Sequence, residues 1–247
     1  MIKPLYQNWI KPITKDLSDF ILDILFPTTC LSCEKEGNLL CAECQSALLK
    51  VPFQQCILCH KPSPLGFTHS GCKTAHGPDG LISVFDYHDD KISKSIIHGK
   101  YYFIKGAYRL LGNLAGDYIL SREYKNIFFP PNDWQLVPIP LAKQRLRWRG
   151  FNQAEIICKA LSEKLDLPVV QALNRRRRTK TQKDLKRDER IHNIEGAFAM
   201  PDKHAVKNQN CILVDDVVTT GSTILEAAKV LKRNGAKNVW CLTIARD

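Results

Sequence analysis

Residues 211–223, CILVDDVVTTGST, run four apolar side chains straight into two adjacent carboxylates, Asp215 and Asp216, and then into a loop of Thr219, Thr220, Gly221, Ser222 and Thr223. Ile224, Leu225, Ala228, Val230 and Leu231 follow at helical spacing. An unbroken apolar run of this length is the pattern of a strand buried on both faces, as in a parallel sheet. A hydroxyl- and glycine-rich turn that opens a helix turns backbone N–H groups toward an anion. Acids at the carboxyl end of such a strand stand where open α/β sheets bind ligands. Phosphate at one end and carboxylates about a sugar's width away suit a ribose 5-phosphate.

The 247 residues suffice for one domain of ordinary size and a smaller module. With 44% apolar and 25% charged residues, the composition is that of a soluble globular protein. No run of about 18 uncharged apolar residues is present, so no membrane span is expected. The first 27 residues lack the layout of a secretion signal, because Lys15, Asp16, Asp19 and Asp23 interrupt them. Leu17, Phe20, Ile21, Ile24 and Leu25 instead share one helical face behind Thr14, which predicts an amphipathic helix within 1–27. That helix either packs on the protein or lies on a membrane surface. A cytoplasmic location is expected. The net charge of +11 favours polyanionic partners and salt-dependent association.

Seven of the ten cysteines lie between positions 30 and 72, as Cys30/Cys33, Cys41/Cys44, Cys56/Cys59 and a final Cys72. Two thiolates two residues apart reach one metal from a tight turn, and two such turns close a tetrahedral structural zinc site. Without a secretion signal, disulfides are the weaker explanation, and a lone redox motif at a helix start is absent. The fourth pair has histidine in first place, His69-Ser-Gly-Cys72. His69 has the right spacing to complete a site with Cys56 and Cys59; His76, four residues beyond Cys72, is the alternative. The sequential grouping is Cys30, Cys33, Cys41 and Cys44, then Cys56, Cys59, His69 and Cys72, giving one or two zinc ions; an interleaved grouping stays open. Cys158, Cys211 and Cys241 fall in apolar runs and read as small buried hydrophobes.

Gly77-Pro78-Asp79-Gly80 is a turn cluster and a module boundary. A zinc-ribbon module over 28–77 and a larger domain over 80–247 follow from it. Residues 81–87 read as a strand, 92–120 as helical with a break between Gly99 and Gly106, and Trp134 to Ile139 as a second strand. Leu141 to Gly150 reads as a basic loop before a helix that runs to about residue 164. Arg175 to Arg190 holds nine Lys or Arg against three acids. Such a run is a solvated segment or a nucleic-acid patch.

CILVDDVVTTGST resembles the binding signature of type I phosphoribosyltransferases, which hold 5-phosphoribosyl-1-pyrophosphate (PRPP). VPIPLAKQRLRWRGFNQA, residues 137–154, narrows this to the ComF competence family: phosphoribosyltransferase-like proteins with an N-terminal zinc ribbon, tied to uptake of transforming DNA. The resemblance runs from the first cysteine pair to the last strand. It implies an α/β fold, a type I phosphoribosyltransferase-like parallel sheet flanked by helices, with a small N-terminal zinc-ribbon module. It also implies that Asp215 and Asp216 hold the ribose hydroxyls and that Thr219, Thr220, Gly221, Ser222 and Thr223 wrap the 5-phosphate. Pyrophosphate then falls to the segment Pro140 to Gly150, with Arg149, Asn152 and Gln153 carried over. The basic run matches the family's T-x-x-Q…R-x-x-N…GAF pattern at Thr179, Gln182, Arg190, Asn193 and Gly196 to Phe198. There the resemblance implies a closing loop, in which Arg177, Lys180, Gln182 and Arg190 meet the leaving group. Mg²⁺ would accompany PRPP, and single-stranded DNA and a DNA-translocating helicase are the implied partners. His69 departs from the family's cysteine pattern and puts the second zinc in question.

Three functions of different classes are compatible with these residues. The first is an accessory factor of DNA uptake that binds PRPP and single-stranded DNA, with or without turnover. The second is a transferase acting on an unidentified small acceptor in nucleotide metabolism. The third is a nucleic-acid-binding module whose pocket is vestigial.

Overall fold

The computed structural model describes residues 28–128, 134–176, 194–202 and 204–247. The expected N-terminal helix, with Thr14, Leu17, Phe20, Ile21, Ile24 and Leu25, lies outside the described residues. So do Arg177, Thr179, Lys180, Gln182, Arg190 and Asn193. The chain divides into two compact units, Met1–Ala47 and Leu48–Asp247.

In the first unit, Thr29 and Glu36 bridge across a turn that begins at Cys30, and a short helix α1 (Ala42–Ser46) carries the next cysteine pair. Leu40, fully buried, is its largest apolar anchor. So small a unit buries too little to fold on apolar surface alone.

The second unit holds a four-stranded sheet. Its strands are β1 (Gly80–Asp86), β2 (Trp134–Pro138), β5 (Asn210–Val218) and β6 (Asn238–Arg246), in the order β1-β6-β5-β2. All three pairings are parallel. Val169 extends the sheet beyond β2 as an isolated parallel bridge to Leu136. A two-stranded ribbon, β3 (Asn174–Arg175) with β4 (Phe198–Ala199), is antiparallel.

Helices cover both faces, which is why the strands are apolar throughout rather than alternating. On one face α2 (Asp90–Tyr101), α3 (Lys105–Ile119) and α6 (Gln153–Leu165) bury Ile92, Leu111, Ile157 and Leu161 against Ile82, Ile212, Val214 and Leu242. On the other, α7 (Ser222–Arg233) packs Ile224, Ala228 and Leu231 against Leu81, Leu213 and Val239. Each such fully buried side chain contributes about 1.5–3 kcal/mol relative to exposure. Cys158, Cys211 and Cys241 are buried among these residues, as small hydrophobes should be. Gly99 permits the tight α2–α3 crossing, since a Cβ there would stand 2.5 Å from the Tyr108 ring.

Two further α-helices among the described residues are α4 (Arg122–Phe128) and α5 (Lys143–Arg149). The second corrects the expectation of a basic loop over 141–150. Lys, Gln, Arg and Leu are all good helix formers, and Gly150, at φ 76°, supplies the left-handed residue that ends the turn. Among the described residues, no helix is long and apolar enough to cross a membrane.

Candidate functional site

The carboxyl ends of β2 and β5 lie side by side, with Pro138 registered on Val214. Two adjacent residues of a strand point to opposite faces, and this separates the two acids. Val214 belongs to the cluster under α2, α3 and α6, so Asp216 faces that layer. There its Oδ2 pairs with Lys100 Nζ at 2.9 Å, and Tyr108 Oη donates to the same oxygen at 3.5 Å. Burial works against the Lys100 ammonium, but the Asp216 carboxylate outweighs it and the Lys100 pKa rises. Neither Lys100 nor Tyr108 is among the residues expected from sequence. Each is more than a hundred residues from Asp216, and neither sits in a motif.

Asp215 shares the opposite face with Leu213. Burial, and then the charge of Asp216, push its carboxyl up to about 7, although Lys100 and Arg175 act in the other direction. The consequence for stability has a definite sign. An acid with a raised native pKa holds its proton in the fold more tightly than in the unfolded chain, so stability falls as pH climbs from about 4 to about 7. Asp215→Asn removes that slope. The variant is expected to melt close to wild type near pH 4.5 and progressively above it toward pH 8, in paired thermal scans. A difference that does not change with pH would contradict the burial of this carboxyl.

The loop after β5 is built as an anion cradle. Gly221 adopts φ 76° and precedes the first turn of α7, and its carbonyl accepts from Leu225 N–H at 2.9 Å. The first N–H groups of a helix have no partner within it. Thr220 Oγ1 and Ser222 Oγ are 2.8 Å apart beside them. Gly221 leaves room for a close approach, and the neighbour on its other side is Ile57, whose Cγ1 would be 3.2 Å from an added Cβ. Thr219 is exposed and Thr223 half-buried on the same turn.

Arg149, Asn152 and Gln153 come together behind β2, all buried. Arg149 Nη1 donates to Gln153 Oε1 at 2.7 Å, while Arg149 Nε is buried without a protein partner. A guanidinium nitrogen so placed is suited to an acceptor brought by a ligand. Asn152 is the N-cap of α6: its Oδ1 accepts from Ala154 N–H, and its Nδ2 donates to Ile139 O at 3.1 Å. Beside this group opens a cavity of about 500 Å³ whose lining includes Lys143, Asn152, Glu155, Asn174, Arg175 and Arg176.

The cysteines assemble into two sets. Sγ atoms of Cys30, Cys33, Cys41 and Cys44 lie within 4.8 Å of one another, and so do the ligand atoms of Cys56, Cys59, His69 and Cys72. Both sets use one local turn. Cys30 N donates to Lys35 O at 2.8 Å and Cys56 N to Lys61 O at 3.0 Å, with Glu34 and His60 at positive φ. Sulfurs of a tetrahedral thiolate site stand roughly 3.8 Å apart, and Cys33 and Cys41 Sγ are 3.6 Å apart. The structure gathers His69 rather than His76. Its Nδ1 is 3.3 Å from Cys59 Sγ, and its Nε2 meets Pro62 O at 3.1 Å, the outer hydrogen bond that orients a metal-ligating imidazole. For Cys56, burial is outweighed by N–H groups of Cys59, His69 and Leu58, and the thiol falls to about 7. Cys72, crowded by Cys59, by burial and by Cys56, is pushed up to about 11. Four converging ligand atoms of these types suit a tetrahedral cation, so each set could hold a metal ion.

Residues 152–247 match the Phosphoribosyl transferase domain family. The DNA utilization protein YhgH of Escherichia coli is 41% identical over 111 residues, 44% of this chain and 48% of that protein, so the match spans about half of that relative's length. Competence protein F of Haemophilus influenzae is 28% identical over 230 residues, covering 90% of this chain and 98% of that one. Competence protein ComFC of Bacillus subtilis is 27% identical over 221 residues, 86% of each. Similarity to the two competence proteins thus runs nearly the length of this chain, over a parallel sheet whose C-terminal part matches the phosphoribosyl transferase domain, which supports the resemblance to the ComF family.

Proposed function

We propose that this protein binds PRPP with Mg²⁺ and takes part in handling single-stranded DNA during uptake or use of that DNA. One observation carries the reading: the buried strand β5 delivers Asp215 and Asp216 to the same sheet edge at which the Gly221 turn opens α7. The acids hold the ribose hydroxyls, and Thr219, Thr220, Gly221, Ser222 and Thr223 hold the 5-phosphate. Arg149 and Gln153 face pyrophosphate, with Asn152 fixing the start of α6 behind them. Arg177, Lys180 and Arg190 add cations from the 177–190 segment, and Gln182 adds a neutral amide. Mg²⁺, which keeps much of its water, would be held chiefly by pyrophosphate oxygens. Zinc fills both cysteine sets, two ions per chain, in a module spanning 28–77 that precedes a domain over 80–247. A cytoplasmic location and a helicase partner complete the proposal.

The names of the relatives support the DNA role, and the phosphoribosyl transferase match supports the PRPP role. Asp215→Asn tests the assignment, because it deletes one ribose partner without stranding a buried charge. It is expected to weaken PRPP binding at least about tenfold, the effect of losing a charge-assisted hydrogen bond, while single-stranded DNA affinity stays within about twofold. Parallel loss of both, in a folded variant, would refute separate sites. A second reading, transfer to a small acceptor, draws on the 500 Å³ cavity. Sustained pyrophosphate release with one base would favour it.

A further inference from the structure

Four aromatic side chains stand on the surface where the α2–α3 connection meets α5. Tyr101, Tyr102, Phe103 and Trp148 are 46%, 66%, 44% and 54% exposed. The Trp148 ring lies 5.2 Å from Phe103 and 6.0 Å from Tyr101, each edge-on, and His98 stacks on Tyr102 at 4.8 Å. A folded monomer has no use for such a cluster in water. Phe103 is also held at φ 60°, a conformation uncommon for a bulky residue, so the backbone is strained where the ring is displayed.

The two segments that carry the cluster hold charges of one sign. Neither residues 91–116 nor residues 134–154 contain an Asp or Glu. The helix α5 carries Lys143, Arg145, Arg147 and Arg149 in seven residues, the first three of them exposed. Lys105, exposed, sits over the Phe151 ring at 5.6 Å. Arg145 acts electrostatically on Arg175 of the cavity lining, so the basic row continues from the aromatic cluster toward that cavity.

We infer that Tyr102, Phe103 and Trp148, flanked by Arg145 and Arg147, form a stacking platform for single-stranded DNA. Exposed rings accept base faces, which a duplex hides within its own stack. A cationic row follows the phosphates, and the pairing of the two is the general solution for single-strand binding without sequence readout. A protein partner docking by apolar surface alone would gain nothing from the exposed cations of α5 beside the rings. This inference rests on the DNA role proposed above and gives it a location.

Anisotropy of a labelled dT20 oligonucleotide with the zinc-loaded full chain tests it. Trp148→Ala and the pair Tyr102→Ala/Phe103→Ala are each expected to weaken binding about tenfold, the effect of removing one or two stacked bases. Trp148→Phe, which keeps a ring, should stay within about threefold of wild type. Arg145→Ala/Arg147→Ala should flatten the salt dependence by roughly 0.7 for each phosphate that is no longer neutralised. The Tyr102/Phe103 pair lies outside the PRPP residues and should leave PRPP affinity unchanged. If wild type binds dT20 and the alanine variants bind as tightly, the platform is wrong and the DNA role stands. If wild type does not bind dT20, both fall. A shift from dimer to monomer in the alanine variants, with dT20 affinity intact, would assign the cluster to self-association and overturn the inference.

Discussion

Asp216→Ala is expected to cost about 3 kcal/mol of folding stability and to abolish PRPP binding. The cost comes from Lys100, whose side chain is only 23% exposed and whose ammonium would lose the carboxylate 2.9 Å away. Removing one partner of a buried pair leaves an uncompensated charge, whereas removing both is close to neutral. Asp216→Ala with Lys100→Met should therefore recover most of the lost stability in urea unfolding, without recovering PRPP. The two readouts separate what a single variant would confuse. If the single variant unfolds at the wild-type midpoint, the pairing of Asp216 with Lys100 contributes nothing to the fold.

Metal removal has the other large expected effect. Structural zinc contributes apparent binding energies of about 10–16 kcal/mol, comparable with the whole stability of a domain. Chelation is expected to unfold residues 30–76 first, and its effect should reach the PRPP loop. Ile57 lies inside the Cys56–Cys59 turn, is 2% exposed, and packs in the same apolar cluster as Ile224 and Ala228 of α7 while bordering Gly221. A loosened turn withdraws that wall from the phosphate cradle. Metal analysis should give two zinc ions per chain in wild type and one in His69→Ala, with PRPP affinity lowered at least about tenfold in the latter. His76→Ala should change neither. A wild-type count near one, or a His69→Ala chain that keeps full PRPP affinity, would detach the second cysteine set from the pocket.

What the sequence can and cannot disclose follows from how far apart the interacting residues are. CILVDDVVTTGST is a local pattern: its strand, turn and helix are adjacent in the chain, and all three stand where the period of the apolar residues puts them. The ligand spacing around Cys30 and Cys56 is equally local, and the preference for His69 over His76 comes from spacing alone. Partners brought in by tertiary folding are not legible. Lys100 reaches Asp216 from the end of α2, and Ile57 reaches Gly221 from a cysteine turn; no periodicity couples these positions. The helix α5 is a different case. Its charges suggest a loop, although its residues are helix formers and Gly150 marks a C-terminal cap, so propensity carries the signal that charge obscures. The turn at 77–80 marks a boundary by composition, yet the compact units divide between Ala47 and Leu48, because Phe67 bridges Gly80 and Ile57 joins the α7 core. Apolar packing across sequence distance sets that division.

The edge formed by Asp215, Asp216 and the Gly221 turn is expected to be a working PRPP pocket. Isothermal calorimetry of the folded, zinc-loaded chain with PRPP and Mg²⁺ decides this. A living pocket gives saturable binding at one PRPP per chain, weakened at least about tenfold in Asp215→Asn. The absence of binding heat across temperatures, in a sample whose zinc content and thermal transition show it intact, would contradict it.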